Sequence, residues 1–277
     1  MNRRAPNIDR LLKTLKGEIP DRVPTYEPVF ESNIVSAILG HEAKSTTPSS
    51  RGVTVFEMPM SPADYRSVLE FTGMDFGYVE AGWTPLRYAD HKGDLHLITD
   101  GRIKTLDDLD NVVFPSFDVD IAPRLEALRL YKKEFEGTGI GTAICLGSAF
   151  QCCYYFLCGF ENFLSAFYDN LEYAEKMLDI CFDYYTTILE AFLEEGIDLV
   201  VTGDDIAYKQ GLFIKPQFME DIWLPRYRKF IGVAKSAGKP MMFHSCGKVE
   251  DLFEDIILNA DLCGSSSPAV PVSLPMS

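Results

Sequence analysis

The chain has 277 residues, 47% hydrophobic and 24% charged, with 41 acidic against 26 basic side chains and a formal net charge of −15. That charge works against nucleic acid and anionic membrane as partners by simple repulsion, whereas a small anionic substrate needs only a local cationic pocket. No run of about 18 apolar residues predicts a spanning helix, and seven cysteines, several in apolar surroundings (Cys145, Cys152, Cys153, Cys158, Cys181), predict a reduced, cytoplasmic chain with buried thiols.

Residues 1–20 carry basic side chains but no apolar signal core, and predict a short amphipathic helical segment. "RVPTYEPVF" (22–30) reads as a first strand, "SNIVSAILG" as a short helix, and the Ser/Thr-rich stretch 44–54 as a loop. Residues 61–73 predict a helix capped by Ser61 with Pro62 at its first position, and 74–80 a second strand. The following stretch shows turn signals and alternation, which predict a β-excursion or a loop closing with a short helix at "LDDLDN". Residues 121–137 predict a helix, 139–147 a third strand, and "QCCYYFLCGF" (151–160) a packed helix. From 170 to 195 apolar side chains recur every three or four residues up to Gly196, which marks a long helix and its C-terminal end.

"IDLVVTGDD" (197–205) is a fourth strand, continuously apolar as in a parallel sheet. Residues 216–237 predict a helix kinked at Pro225. "KPMMFHSCG" is a fifth strand, and "KVEDLFEDIIL" the next helix. This alternation predicts one α/β domain over 1–277, a (β/α)8 TIM barrel rather than a dinucleotide-binding sheet. Neither GxGxxG nor GxxxxGK[ST] follows a strand. Only five strands are found, and the irregular tail 260–277 predicts a barrel that is incomplete at its C-terminal end, with exposed strand edges.

In a strand, side chains two apart share a face, so His244 and Cys246 emerge together at a C-terminal strand end, where barrel active sites lie. They are either half of a zinc site or an ordinary strand end. The same parity places Asp198, Val200, Thr202 and Asp204 inward and Leu199 and Val201 toward the helices, with Asp205 opening the loop. A mouth carboxylate such as Asp204 is a candidate acid/base, metal ligand or substrate acceptor. Glu27 and Glu31 share a face of the first strand and Glu80 ends the second, where crowded carboxylates would favour a cation. Tyr26 and Tyr208 are candidate cofactor- or substrate-facing rings. His41, His91 and His96 sit in polar loops and read as surface residues.

Taken together, "GEIPDRVPTYEPVF", "DLVVTGDDIAYKQGLFIKPQFMEDIWLPRYRKFI" and "KPMMFHSCGKVEDLFEDII" resemble the uroporphyrinogen decarboxylase superfamily. The "HSCG" strand end is similar to its branch of cobamide-dependent methyltransferases, including the methylcobamide:coenzyme M methyltransferases of anaerobic one-carbon metabolism. The resemblance implies a (β/α)8 barrel, zinc held by His244 and Cys246, and a corrinoid (methylcobamide) methyl carrier on a partner corrinoid protein. It also implies a small thiol or similar methyl acceptor, with Asp204, Asp205 and Glu27 as candidate catalytic groups. Two departures stand out. The decarboxylases' arginine-rich segment after the first strand is replaced here by "TYEPVFESNIVSAILG", which lacks the guanidinium clamp a polycarboxylate needs. The branch's later cysteine ligand has no match either, because Cys263 lies too close to Cys246. The alternatives are therefore a tetrapyrrole decarboxylase and a truncated, non-catalytic barrel.

Overall fold

Helix starts and stops follow the local sequence. In the computed structural model, which describes residues 5–27, 29–46, 56–81 and 84–252, α1 (Ile8–Leu15) begins where the Asn7 side chain accepts from the Asp9 N–H. Helix α2 (Ser32–Leu39) ends on left-handed Gly40. Helix α3 (Pro62–Thr72) has the predicted cap, with Ser61 Oγ accepting from the Asp64 N–H at 3.1 Å. Strand β1 (Phe76–Glu80) follows, then an antiparallel hairpin of β2 (Arg87–Ala89) and β3 (Leu95–Leu97). This hairpin is the predicted β-excursion, and it closes with a 3-10 turn at Leu106–Asn111.

Helix α4 (Ala122–Phe135) leads into β4 (Gly141–Leu146). Next come α5 (Ala149–Cys152), a π-helical turn at Cys153–Leu157, α6 (Phe160–Asp169) and the 24-residue α7 (Leu171–Glu194). Strand β5 (Leu199–Gly203) is followed by a small hairpin, β6 (Ala207–Tyr208) with β7 (Gly211–Leu212), which the sequence pattern does not announce. The predicted kinked helix is α8 (Pro216–Phe218), a π-helical turn at Met219–Trp223, and α9 (Leu224–Ser236). Pro225 directly follows the π-helical turn of this continuous run; its missing N–H removes one helical bond, and the widened turn just before it accommodates the ring. Strand β8 (Met241–His244) is the last described strand.

Strands β1, β4, β5 and β8 form one parallel sheet in that order, the helix-separated order of a (β/α) barrel wall. Its two faces bury different partners. Phe76, Tyr78, Ala143, Leu199 and Val201 cluster with Leu11 of α1, and Tyr26, Cys145 and Met242 pack against them. Val79, Ile144, Leu146, Val200, Met241 and Phe243 belong instead to the large core shared with the helices. Helix α1 is thus a plug on the inner face. Cys152, Cys153, Cys158 and Cys181 are buried as expected, while Cys145 is half-buried on the inner face. Among the described residues no helix is long and apolar enough to cross a membrane.

Two expectations need correction. Residues 22–27 and 29–30 form no strand, because Pro24 and Pro28 remove ladder donors from the run. The shared strand face of Glu27 and Glu31 goes with it: Glu27 is exposed, and Glu31 is the N-cap of α2. The parity assumed for β5 is also inverted, since Leu199 and Val201 face inward with α1, and Val200 faces the helices. The predicted loop at 47–54, the helix beyond 252, the tail 260–277 and Cys263 lie outside the described residues.

Candidate functional site

The corrected parity decides where the two aspartates go. Strands β5 and β8 pair with Gly203 opposite His244. Beyond Gly203, Asp204 turns outward into the helical layer and is 4% exposed. Its Oδ2 accepts from the Phe150 N–H at 2.9 Å and from Trp223 Nε1 at 3.0 Å, and its Oδ1 from the Gln151 N–H at 2.8 Å. Burial pushes this carboxyl up to about 7, against the pull of the three donors toward the charged form.

Asp205 turns the other way, to the rim. Its Oδ1 accepts from the Cys246 N–H at 2.7 Å and its Oδ2 from Gln151 Nε2 at 3.0 Å. Cys246 Sγ lies 3.4 Å from His244 Nε2. One donor atom each from Asp205, His244 and Cys246 fall within 4.8 Å of one another, with His244 exposed and the other two half-buried. Among the described residues this is the His/Cys/Asp/Glu group of three or more whose donor atoms could hold a metal ion. The spacing fits: bonds of about 2.05 and 2.3 Å at a tetrahedral angle put nitrogen and sulfur about 3.5 Å apart. The Cys246 thiol is pushed up to about 11, first by desolvation and then by the neighbouring Asp205 charge.

A clamp holds the loop that carries these donors. Gly247 has φ of +87°, and a Cβ there would meet the backbone carbonyl of Ala207 at 2.6 Å and the Tyr208 N at 2.7 Å. The Lys248 N–H donates to the Tyr208 carbonyl at 2.9 Å. The His-Ser-Cys-Gly turn therefore lies directly against the β6–β7 hairpin, which only a residue without a side chain permits.

The remaining sequence candidates are dispersed. Tyr208 is 46% exposed, its ring stacked on Phe213 at 5.7 Å, and Phe213 meets Tyr154 and Phe160 edge-on. Tyr26 lies on the inner face of β1, stacked on Phe76 at 5.0 Å and edge-on to Tyr78, and burial raises its hydroxyl far above the ordinary range. Glu80 is buried at the end of β1. His41, His91 and His96 are exposed. Gln151 and Trp223, which hold the two aspartates, escape sequence reading: Gln151 sits in an apolar stretch, and Trp223 is one apolar position of an amphipathic helix, so both read as packing alone.

Comparison with known proteins agrees with this architecture. No protein of curated function matches the sequence significantly. A solved structure of a methyltransferase from Methanosarcina mazei shares the fold, with a TM-score of 0.64 and 19% identity over 91% of this chain and 73% of that one. The profile of the family described as uroporphyrinogen decarboxylase (URO-D) matches residues 58–265. Spanning all four strands of the parallel sheet and the rim that carries His244 and Cys246, that match places the chain in the uroporphyrinogen decarboxylase family.

Proposed function

We propose that the chain transfers a methyl group between a corrinoid cofactor carried by a partner protein and a thiol or similar small acceptor, using zinc held by His244 and Cys246. The observation that carries this reading is the 3.4 Å separation of His244 Nε2 and Cys246 Sγ at an accessible strand end. A metal held there supplies a Lewis acid that makes an acceptor thiol anionic while its sulfur stays nucleophilic. The fold shared with a methyltransferase supports the reading at the level of architecture.

The chain's own groups divide the work. His244 and Cys246 present two soft or borderline donors toward the open rim, where a protein-borne cofactor can approach. Tyr208, stacked on Phe213 beside the ligand loop, offers an exposed flat ring to an apolar surface. Tyr26 lines the inner wall below. Asp204 takes no direct part: it faces the helices and its oxygens are occupied by three donors. Glu27 stands on an irregular exposed segment and is not one of the clustered donors. Tetrapyrrole decarboxylation has less support, because the buried Arg87 is committed to Asp120 and Arg124 to the carbonyls of Glu80 and Asp120.

The test is elemental analysis followed by transfer from methylcobalamin to candidate thiols, read by cobalt absorbance. About one zinc per chain and turnover that both vanish in His244→Ala and Cys246→Ala are expected. Zinc content indifferent to both substitutions refutes the proposal.

A further inference from the structure

The structure assigns Asp205 as the third protein ligand of this centre, an oxygen donor beside one imidazole and one thiolate, with Gln151 as the residue that positions it. The inference rests on the metal reading above and goes beyond it by fixing the donor set. Asp204, the other half of the pair, is turned away and cannot serve.

Two observations single out Asp205. One of its oxygens falls with a ring nitrogen of His244 and Cys246 Sγ in one cluster of donor atoms within 4.8 Å. Both its oxygens are also oriented by amide donors. Oδ1 accepts from the backbone N–H of Cys246 at 2.7 Å, which ties the carboxylate to the residue that bears the sulfur ligand. Oδ2 accepts from Gln151 Nε2 at 3.0 Å, and Gln151 is fixed in turn by its own N–H on Asp204. A carboxylate held by a backbone amide and a side-chain amide keeps one orientation, which is how outer groups around metal sites aim their ligands.

The charge balance is consistent as well. A neutral imidazole, one thiolate and one carboxylate offset a divalent ion and leave a fourth tetrahedral position for an incoming sulfur. A carboxylate beside the thiolate makes these donors harder than an all-thiolate set, so the site should accept cobalt(II) and manganese(II) more readily than an all-soft site does.

Asp205→Asn is the informative variant. Its Oδ1 can still accept from the Cys246 N–H, and Gln151 can turn its amide to offer an oxygen to the new NH2, so the loop keeps its bonds while the ligand charge is lost. Zinc affinity of the full chain would be measured by competition with a chromophoric chelator, and cobalt(II) spectra recorded for the sulfur-to-metal band. For Asp205→Asn we expect a loss of more than about 100-fold with the sulfur band retained. For Gln151→Ala we expect about 10- to 100-fold, the usual effect of an outer group, with an unchanged thermal midpoint. The double variant should be no weaker than Asp205→Asn alone, since Gln151 acts only through Asp205. Wild-type affinity in Asp205→Asn, with His244→Ala and Cys246→Ser both deficient, overturns this assignment and leaves the metal reading intact. Wild-type affinity in all three overturns the metal reading itself. Additive loss in the double variant overturns the positioning role of Gln151.

Discussion

Zinc binding should release a proton from Cys246, and the pH dependence of affinity tests the site directly. The thiol is pushed up to about 11, so near pH 8 only about one in a thousand Cys246 side chains is ionised. Binding requires the thiolate and must therefore displace close to one proton per zinc over this range. By linkage the apparent association constant rises about tenfold per pH unit from 7.5 upward. It continues to rise past pH 9, where a thiol of ordinary acidity would already level off. The assay is chelator competition at half-unit intervals from pH 7.5 to 9.5, with titration calorimetry in two buffers of different ionisation enthalpy to count protons. Cys246→Ser should remove the thiol component of both signals. A flat profile, or binding without proton release, means that Cys246 is not a ligand. A plateau near pH 9 means that desolvation and Asp205 do not act on the thiol as the geometry implies.

Three further outcomes follow from the packing. Gly247→Ala combines a left-handed backbone with a collision against the Ala207 carbonyl at 2.6 Å; it should displace the ligand loop and weaken zinc binding at least about tenfold, whereas Gly238→Ala, equally left-handed but with open space around it, should cost about 1–2 kcal/mol of stability and leave zinc affinity unchanged by chelator competition. Trp223→Phe deletes the indole donor to Asp204 Oδ2; because the carboxyl sits near 7, the loss in urea titrations should be larger at pH 8, about 1.5–3 kcal/mol for a bond to a charged group, than at pH 6, about 0.5–1.5 kcal/mol. In the wild type this raised carboxyl contributes stability below about pH 4 that is lost as pH rises through 7, so its ionisation should make urea denaturation easier at pH 8 than at pH 6. Arg87→Met strands Asp120, which it meets through two hydrogen bonds, and should destabilise by about 3–5 kcal/mol in the same assay, with Asp120→Asn recovering part of the loss.

The legible part of the site is the His-x-Cys spacing, since side chains two apart share a strand face and His244 and Cys246 must emerge together. The structure then shows which face that is: Met241 and Phe243 pack on the helices, whereas Met242 lies on the inner face. "LVV" in β5 offers no such marker. A strand buried on both faces is apolar throughout, so the choice between Asp204 and Asp205 depends on its register with β8, a tertiary fact. The failed strand at 22–30 has a local cause in its prolines, whereas the β6–β7 hairpin is two residues a side, too short for periodicity to register. Gln151 is hidden for a different reason: its neighbours are so apolar that the stretch reads as core and nothing more.

That stretch is core, and this is why it can position a site. Helix α5 is four residues long and could not hold its place by its own hydrogen bonds. It is held because Phe150 and Cys152 are fully buried and because Cys153, the next residue, lies 3.6 Å sulfur to sulfur from Cys181 of the long helix α7. Anchored there, its first turn directs the N–H groups of Phe150 and Gln151 at Asp204 and the Gln151 side chain at Asp205. One packed turn thus fixes both members of an acidic pair whose side chains point to opposite faces of the sheet. A volume-reducing change such as Cys153→Ala, remote from the donor atoms, should loosen the site through this turn, lowering zinc affinity in proportion to its effect on Gln151. The coupling is checked by repeating the substitution in Gln151→Ala, where the affinity loss should disappear while the stability loss remains.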